Sequence, residues 1–218
     1  MDKQALINDI IAREWQMFHN VNGEDRASCQ EDDRTFDVMR RGQYEAWSEE
    51  AVRCYHADLC AAEAEGRNLA REKYIRMMES TDPKGYEAFR GELPPVSPEK
   101  AELVAQLWQK YLAQTLRMRE RYPFLALGGR PTTSAEEDDW ASVETYQTCE
   151  ALTYSEETLR ALLRHVDALE AQGIDLVFQI QKNSVEGMGF QSMDEAEAAM
   201  FNRLVQLGGG GCGGCGAC

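Results

Sequence analysis

The sequence predicts an all-α protein: a helical bundle made of two tandem, pseudo-twofold-related helical repeats, followed by a flexible glycine- and cysteine-rich tail. Three observations carry that expectation. Apolar residues recur at helical spacing, as in Leu6, Ile7, Ile10, Ile11, Trp15 and Phe18, while strand-like alternation is almost absent. The second half of the chain repeats landmarks of the first. Residues 208–218 consist only of glycine, cysteine and a single alanine, a composition that offers no face to bury.

The elements follow in order. A first helix over residues 5–20 closes at Asn22-Gly23, where asparagine and glycine suit a left-handed stop. A polar loop from Glu24 to Asp32 leads to a second helical face carrying Phe36, Met39, Gln43 and Trp47. Ser48 stands where an N-cap belongs, with Glu49 and Glu50 in the first turn, so a third helix starts near residue 48 and ends at Gly66. A fourth runs from Asn68 to Glu79, and Asp82-Pro83 opens a short further helix that stops at Gly91. The proline-rich stretch from Leu93 to Pro98 is the best internal boundary. It divides the chain into a first repeat, residues 1–95, and a second, residues 96–207, packed together as one globular unit ahead of the tail.

The repeat itself is read from two segments. Ala12-x-x-Trp15-Gln16-x-Phe18 returns as Ala105-x-x-Trp108-Gln109-x-Tyr111, and residues 48–79 align without a gap on residues 155–186. Ser48/Ser155, Glu49/Glu156, Glu50/Glu157, Arg53/Arg160 and Gly66/Gly173 are among the identical pairs. Units of this kind cannot bury an apolar face alone, so the copies pack on each other. The expected seam lies along the tryptophan-bearing helices, with the first helices of the two repeats in contact.

Composition narrows the partners. The formal net charge is −15 and no Lys/Arg cluster interrupts it, which argues against nucleic acid and anionic membrane. No apolar run approaches the ~18 residues of a membrane span, and Met1-Asp2-Lys3-Gln4 leads straight into an amphipathic helix rather than a signal peptide. Seven cysteines, three of them in the last seven positions, fit a reduced compartment better than a disulfide framework. Together these features predict a cytoplasmic protein.

The runs Arg13-Glu14-Trp15-Gln16-Met17-Phe18, Arg26-Ala27-Ser28-Cys29-Gln30, Thr35-Phe36-x-x-Met39-Arg40-x-x-Gln43 and Ala46-Trp47-Ser48-Glu49-Glu50 resemble a bacterial family known as domain of unknown function 4125. Pro94-Pro95-Val96-Ser97-Pro98-Glu99-Lys100 and the stretch from Leu152 to Arg160 are later landmarks of the same resemblance, which covers most of residues 5–200. It implies no reaction, cofactor or catalytic residue.

Chemistry has two candidate seats. In the tail, Cys212, Cys215 and Cys218 form a C-x2-C-x2-C run separated by glycine and alanine, so three thiolates can face one point. That spacing supplies three ligands in iron–sulfur sites, and the missing fourth leaves an open position or one completed from elsewhere; zinc is the other metal it suits. A redox-active dithiol and an idle glycine-rich end are the alternatives.

The second seat is the loop before the second helix. Arg26, Cys29, Gln30 and Asp32 lie close in sequence, and Arg40 with Gln43 projects from one side of the following helix. Such a set suits an anionic or carboxylate-bearing small molecule, with Cys29 as candidate nucleophile and Arg130 as the arginine of the second copy. The structural alternative pairs Arg26 and Arg40 with Glu14 and Asp32 or Asp33 to lock two helices. His19, His56 and His165 stand isolated; Trp15, Trp47, Trp108 and Trp140 read as core, and Cys54, Cys60 and Cys149 as buried small hydrophobes.

Three functions follow from this reading: a scaffold whose C-terminal arm holds a thiophilic metal or iron–sulfur cluster, a small-molecule enzyme with a pocket between the repeats, or an acidic module that recruits a protein partner.

Overall fold

A computed structural model describes residues 1–21, 32–133 and 141–208. Among the described residues every regular element is helical. The order is α1 (Lys3–His19), α2 (Asp33–Ala46), α3 (Glu49–Ala64), α4 (Leu69–Thr81), α5 (Pro83–Phe89), a 3-10 turn (Arg90–Glu92), α6 (Pro98–Arg121), α7 (Pro123–Leu127), α8 (Val143–Ala151), α9 (Glu156–Glu170), α10 (Leu176–Gly187) and α11 (Met193–Gly208).

Local chemistry sets the boundaries. Helix starts leave N–H groups without intrahelical partners, and short polar side chains fill them. Ser48 accepts from the Ala51 N–H at 3.1 Å, Asn68 from Arg71 at 2.9 Å, Ser97 from Lys100 at 3.0 Å and Ser155 from Thr158 at 3.1 Å. Proline occupies the first turn of α5, α6 and α7, where its missing N–H costs nothing. At the other ends, Gly66 and Gly173 turn left-handed at φ 70° and 72°. The chain then folds back so that Arg67 N–H reaches the Ala62 carbonyl at 2.8 Å and Ile174 N–H that of Leu169 at 3.0 Å. The α2 carbonyl end is closed from a distance: Lys3 Nζ donates to the Glu45 and Trp47 carbonyls at 2.8 and 2.6 Å.

Each half packs within itself first. Helix α1 lies on α2, α3 and α4, and α6 lies on α8, α9 and α10. Three pairings then join the halves: α2 on α10, α3 on α9, and α4 on α8. The expected contact between the first helices, α1 and α6, is not among these pairings, which run instead through α2, α3 and α4 of the first half. The reason is side-chain size. Helices α2 and α10 approach so closely because each presents a glycine to the other: a Cβ on Gly42 would stand 2.6 Å from Ser184 Oγ, and one on Gly187 would stand 2.7 Å from Val38 Cγ1. The tryptophans are too large for such a crossing; Trp47 and Trp108 are buried in the core beside it, Trp15 is half-buried, and Trp140 lies outside the described residues.

Along the α3–α9 seam Leu59, Leu159, Leu162 and Val166 are fully buried, each contributing roughly 1.5–3 kcal/mol relative to exposure. Polar groups fix its register. The Asp58 carboxylate on α3 accepts from Ser155 N–H at 2.8 Å and Thr158 Oγ1 at 2.7 Å, while His165 on α9 contacts the Ala46 carbonyl at 2.8 Å through Nε2. Helix α11 closes one end over α7, where Glu197 accepts the Phe124 and Leu125 N–H groups at 2.8 Å each. No described helix is long and apolar enough to cross a membrane.

Gly42→Ala gains about 1 kcal/mol of helix propensity but overpacks the α2–α10 crossing, a cost of about 1–3 kcal/mol. The net expectation is a lower melting temperature, partly restored by adding Ser184→Ala; a melting temperature equal to wild type or higher would show that the crossing has slack.

Candidate functional site

Glu14 occupies an apolar position on α1, one turn beyond Ile10 and Ile11 and beside Met17, and all four are buried. A carboxylate there must be satisfied by protein. Helix α2 supplies Arg40, whose Nε donates to Glu14 Oε2 at 2.8 Å and whose Nη2 bonds Glu14 Oε1. The Tyr44 and Tyr55 hydroxyls, from α2 and α3, each donate to Oε1 at 2.7 Å. Both are pushed well above the usual phenol range by burial, so they stay protonated donors.

The same guanidinium crosses to the second half. Arg40 Nη1 donates to Glu150 Oε1 on α8 at 2.8 Å, and the Tyr154 hydroxyl reaches that oxygen at 2.8 Å. Gln43 accepts from Arg40 at 3.2 Å and donates to Glu150 at 3.4 Å. On the other oxygen, Lys73 Nζ from α4 donates to Glu150 Oε2 at 2.5 Å. Burial pushes the Glu150 carboxyl up, but the Arg40 and Lys73 cations outweigh it and hold the group well below the usual carboxylate range. Burial likewise works against the Lys73 charge, and Glu150 with Tyr146 and Tyr74 together more than offset it, so the ammonium is held above its usual range. Lys73 Nζ also sits 3.3 Å from the centre of the Tyr146 ring, with Arg130 Cζ 5.4 Å from the same ring.

These charges form the floor of a cavity of about 310 Å³. Met17, Phe18, Phe36, Leu59, Leu69 and Tyr74 supply apolar and aromatic wall, and Asp32, Thr35 and Met39 stand at its exposed rim. Apolar wall with a few convergent polar groups is the composition of small-molecule sites, which run from ~300 to 1,000 Å³.

Of the residues singled out in the sequence, Asp32, Arg40 and Arg130 line this cavity, and Gln43 supports its floor from outside it. Asp32 caps α2, accepting from Thr35 N–H at 2.9 Å. Arg130 donates to the Ala141 carbonyl at 3.0 Å. Arg40 pairs with Glu14, as the structural alternative had it, but takes its second carboxylate from Glu150 rather than from Asp32 or Asp33. Arg26, Cys29 and Gln30 lie outside the described residues, as do Cys212, Cys215 and Cys218.

Sequence reasoning passed over Lys73, Tyr146 and Glu150. A signal existed for Lys73, a charge one turn from Leu69 and one from Met77 at helical spacing. One smaller reading changes: Cys54 and Cys60 are half-buried rather than buried. His56 is partly buried, and its Nε2 meets Asp9 Oδ2 at 2.7 Å. Cys149 is buried as expected, which pushes its thiol up to about 11 and leaves it inert. Among the described residues no group of three or more His, Cys, Asp or Glu side chains is placed to hold a metal ion.

The fold and site define an all-helical bundle with a cavity over a buried charged floor. The family described as a protein of unknown function, DUF4125, matches residues 4–198, and the chain belongs to it. Neither a curated protein nor a solved structure matches it.

Since the folded-state value of Glu150 lies below its ordinary 4.5, its contribution to stability is complete above that pH and drains away as the pH falls below it. Glu150→Gln should cost about 3–5 kcal/mol at neutral pH, because it strips a partner from two buried cations. It should also flatten the loss of stability between pH 5 and 3, on the order of the ordinary carboxylate range. Urea unfolding of both proteins across that interval checks it; parallel pH profiles would mean that Glu150 is not the titrating group.

Proposed function

We propose that this protein binds a small organic molecule in the cavity between its two halves, over the floor built on Arg40. The observation that carries the reading is a volume of about 310 Å³ in which aromatic wall meets buried Lys73 and Glu150. An apolar void that size in a helical core would tend to collapse, whereas ion pairs that must stay hydrogen-bonded keep this one open.

The reading takes the chain as two tandem repeats, residues 1–95 and 96–207, related by a pseudo-twofold axis. Support comes from the reciprocal pairings of α2 with α10 and α4 with α8, and from Asp58 and its counterpart His165, each anchoring the chain beside the first turn of the other's helix. In this register Glu14, Phe18 and Arg40 correspond to Leu107, Tyr111 and Gln147. Those three line a space of only about 20 Å³, enough for a water. One copy has kept its cavity open with charge, and the other has filled it.

A second proposal concerns the tail, on the strength of its C-x2-C-x2-C spacing alone: Cys212, Cys215 and Cys218 hold zinc or an iron–sulfur cluster. Removing residues 208–218 should abolish binding of zinc, or of iron offered with sulfide, in protein purified without oxygen, and leave thermal stability nearly unchanged. Equal metal content in full-length and truncated protein would refute it.

Ala70 lines the cavity on α4 and takes no part in the charged floor. Ala70→Phe should fill the space and remove the stabilisation that cavity ligands give in a thermal-shift screen of small organic molecules, while the ligand-free melting temperature stays within a few degrees of wild type. Hits that stabilise the filled variant equally would place binding elsewhere.

A further inference from the structure

We propose that the cavity takes a planar aromatic molecule bearing one carboxylate, with the anion on Lys73 and Arg130 and the ring against the Phe36, Phe18 and Tyr74 wall. The proposal rests on the cavity reading above and names the class of ligand.

The anion follows from donors and charge. Lys73 is buried and carries three N–H donors, yet its one protein hydrogen-bond acceptor among the described residues is Glu150 Oε2. Tyr146 offers it a ring face, which attracts a cation without filling its hydrogen bonds. Arg130 is half-buried, has five donors, bonds the Ala141 carbonyl and makes no ion pair with a described carboxylate. Both cations therefore have donors left for an acceptor in the cavity, and both sit over the same ring.

The count of charges sets the size of the anion's charge. Of the described groups facing the interior, Asp32 at the rim set aside, Glu14 and Glu150 are balanced by Arg40 and Lys73, which leaves Arg130 as the surplus cation among them. Asp32 stands at the exposed rim and is engaged with the first turn of α2. One negative charge neutralises the site, whereas a phosphate dianion would add a second beside two buried carboxylates.

The ring follows from the wall. Phe36 and Phe18 lie 5.5 Å apart at 14°, and Phe18 and Tyr74 lie 6.2 Å apart at 23°, so three nearly parallel rings run along one side. Trp15 backs Phe36 at 4.9 Å and holds it in place. A flat ligand can extend such a row at its end or meet the ring edges along its side in T-shaped contact, and either contact adds to simple apolar burial.

The test is calorimetric titration of the full-length protein with naphthoate, its neutral amide, its saturated decalin counterpart and naphthyl phosphate. Naphthoate should bind at least roughly tenfold more tightly than each of the others, the loss expected when one charge-assisted contact or the ring stacking is removed. Arg130→Gln should bring naphthoate down to the affinity of the amide and leave the amide unchanged. An amide that binds as tightly as naphthoate refutes the anion site, and an equal decalin acid refutes the ring. Naphthyl phosphate binding more tightly replaces the carboxylate by a dianion and overturns the charge count. Should none of the four bind, this ligand class is wrong, and the cavity reading still stands or falls by its own screen with Ala70→Phe. The comparison among the probes needs no variant, so it holds even if Arg130→Gln folds poorly.

Discussion

Arg40 is one positive charge answered by two buried carboxylates, Glu14 from α1 and Glu150 from α8, and the rest of the structure is arranged around that imbalance. Burying an isolated ion is prohibitively costly, and burying a triad is tolerable only if every remaining lone pair and proton finds a partner. Here the additional negative charge is met by Lys73, while Tyr44, Tyr55 and Tyr154 satisfy the carboxylate oxygens left over. These residues come from α2, α3, α4 and the turn after α8. A network with so many contributors is complete only when both halves of the chain are docked in one register, so it specifies the assembly more than it stabilises it.

The aromatic core beside the network has the same logic. Tyr44, Trp47, Tyr55 and Tyr154 meet at centroid distances of 4.9–5.9 Å, mostly edge to face. Their ring bodies supply apolar burial where the halves join, and three of the four turn a hydroxyl toward the carboxylates. The floor of the cavity is thereby rigid on its underside. A rigid, charged floor under a partly open aromatic wall is a preorganised surface, and preorganisation reduces the ordering cost that a small ligand would otherwise face on binding.

The closeness of α2 and α10 matters to the site as well as to the fold. Arg40 sits one turn or less from Gly42 on the helix that α10 holds in place, so the packing of Gly42 on Ser184 and of Gly187 on Val38 sets where the guanidinium lies. Small residues at a helix crossing thus position a charged side chain a turn away.

The sequence by itself determined most of the helix ends in the first half. Serine, asparagine and aspartate caps, prolines in first turns and Gly66 and Gly173 at the stops act within a few residues of where they stand, so local chemistry makes them legible. It also supplied two of the cavity's three described cations, since Arg40 and Arg130 stand out as arginines near a helix start and a loop. Only the tertiary structure decided which carboxylate answers Arg40. The choice among Asp32, Asp33, Glu14 and Glu150 depends on where α8 lies against α2 and α4, and Glu150 is 110 positions from Arg40 in the chain. Lys73 and Tyr146 were hidden for the same reason: a charge on an apolar helix face declares that it has a partner, and the partner's identity is a property of packing rather than of sequence spacing.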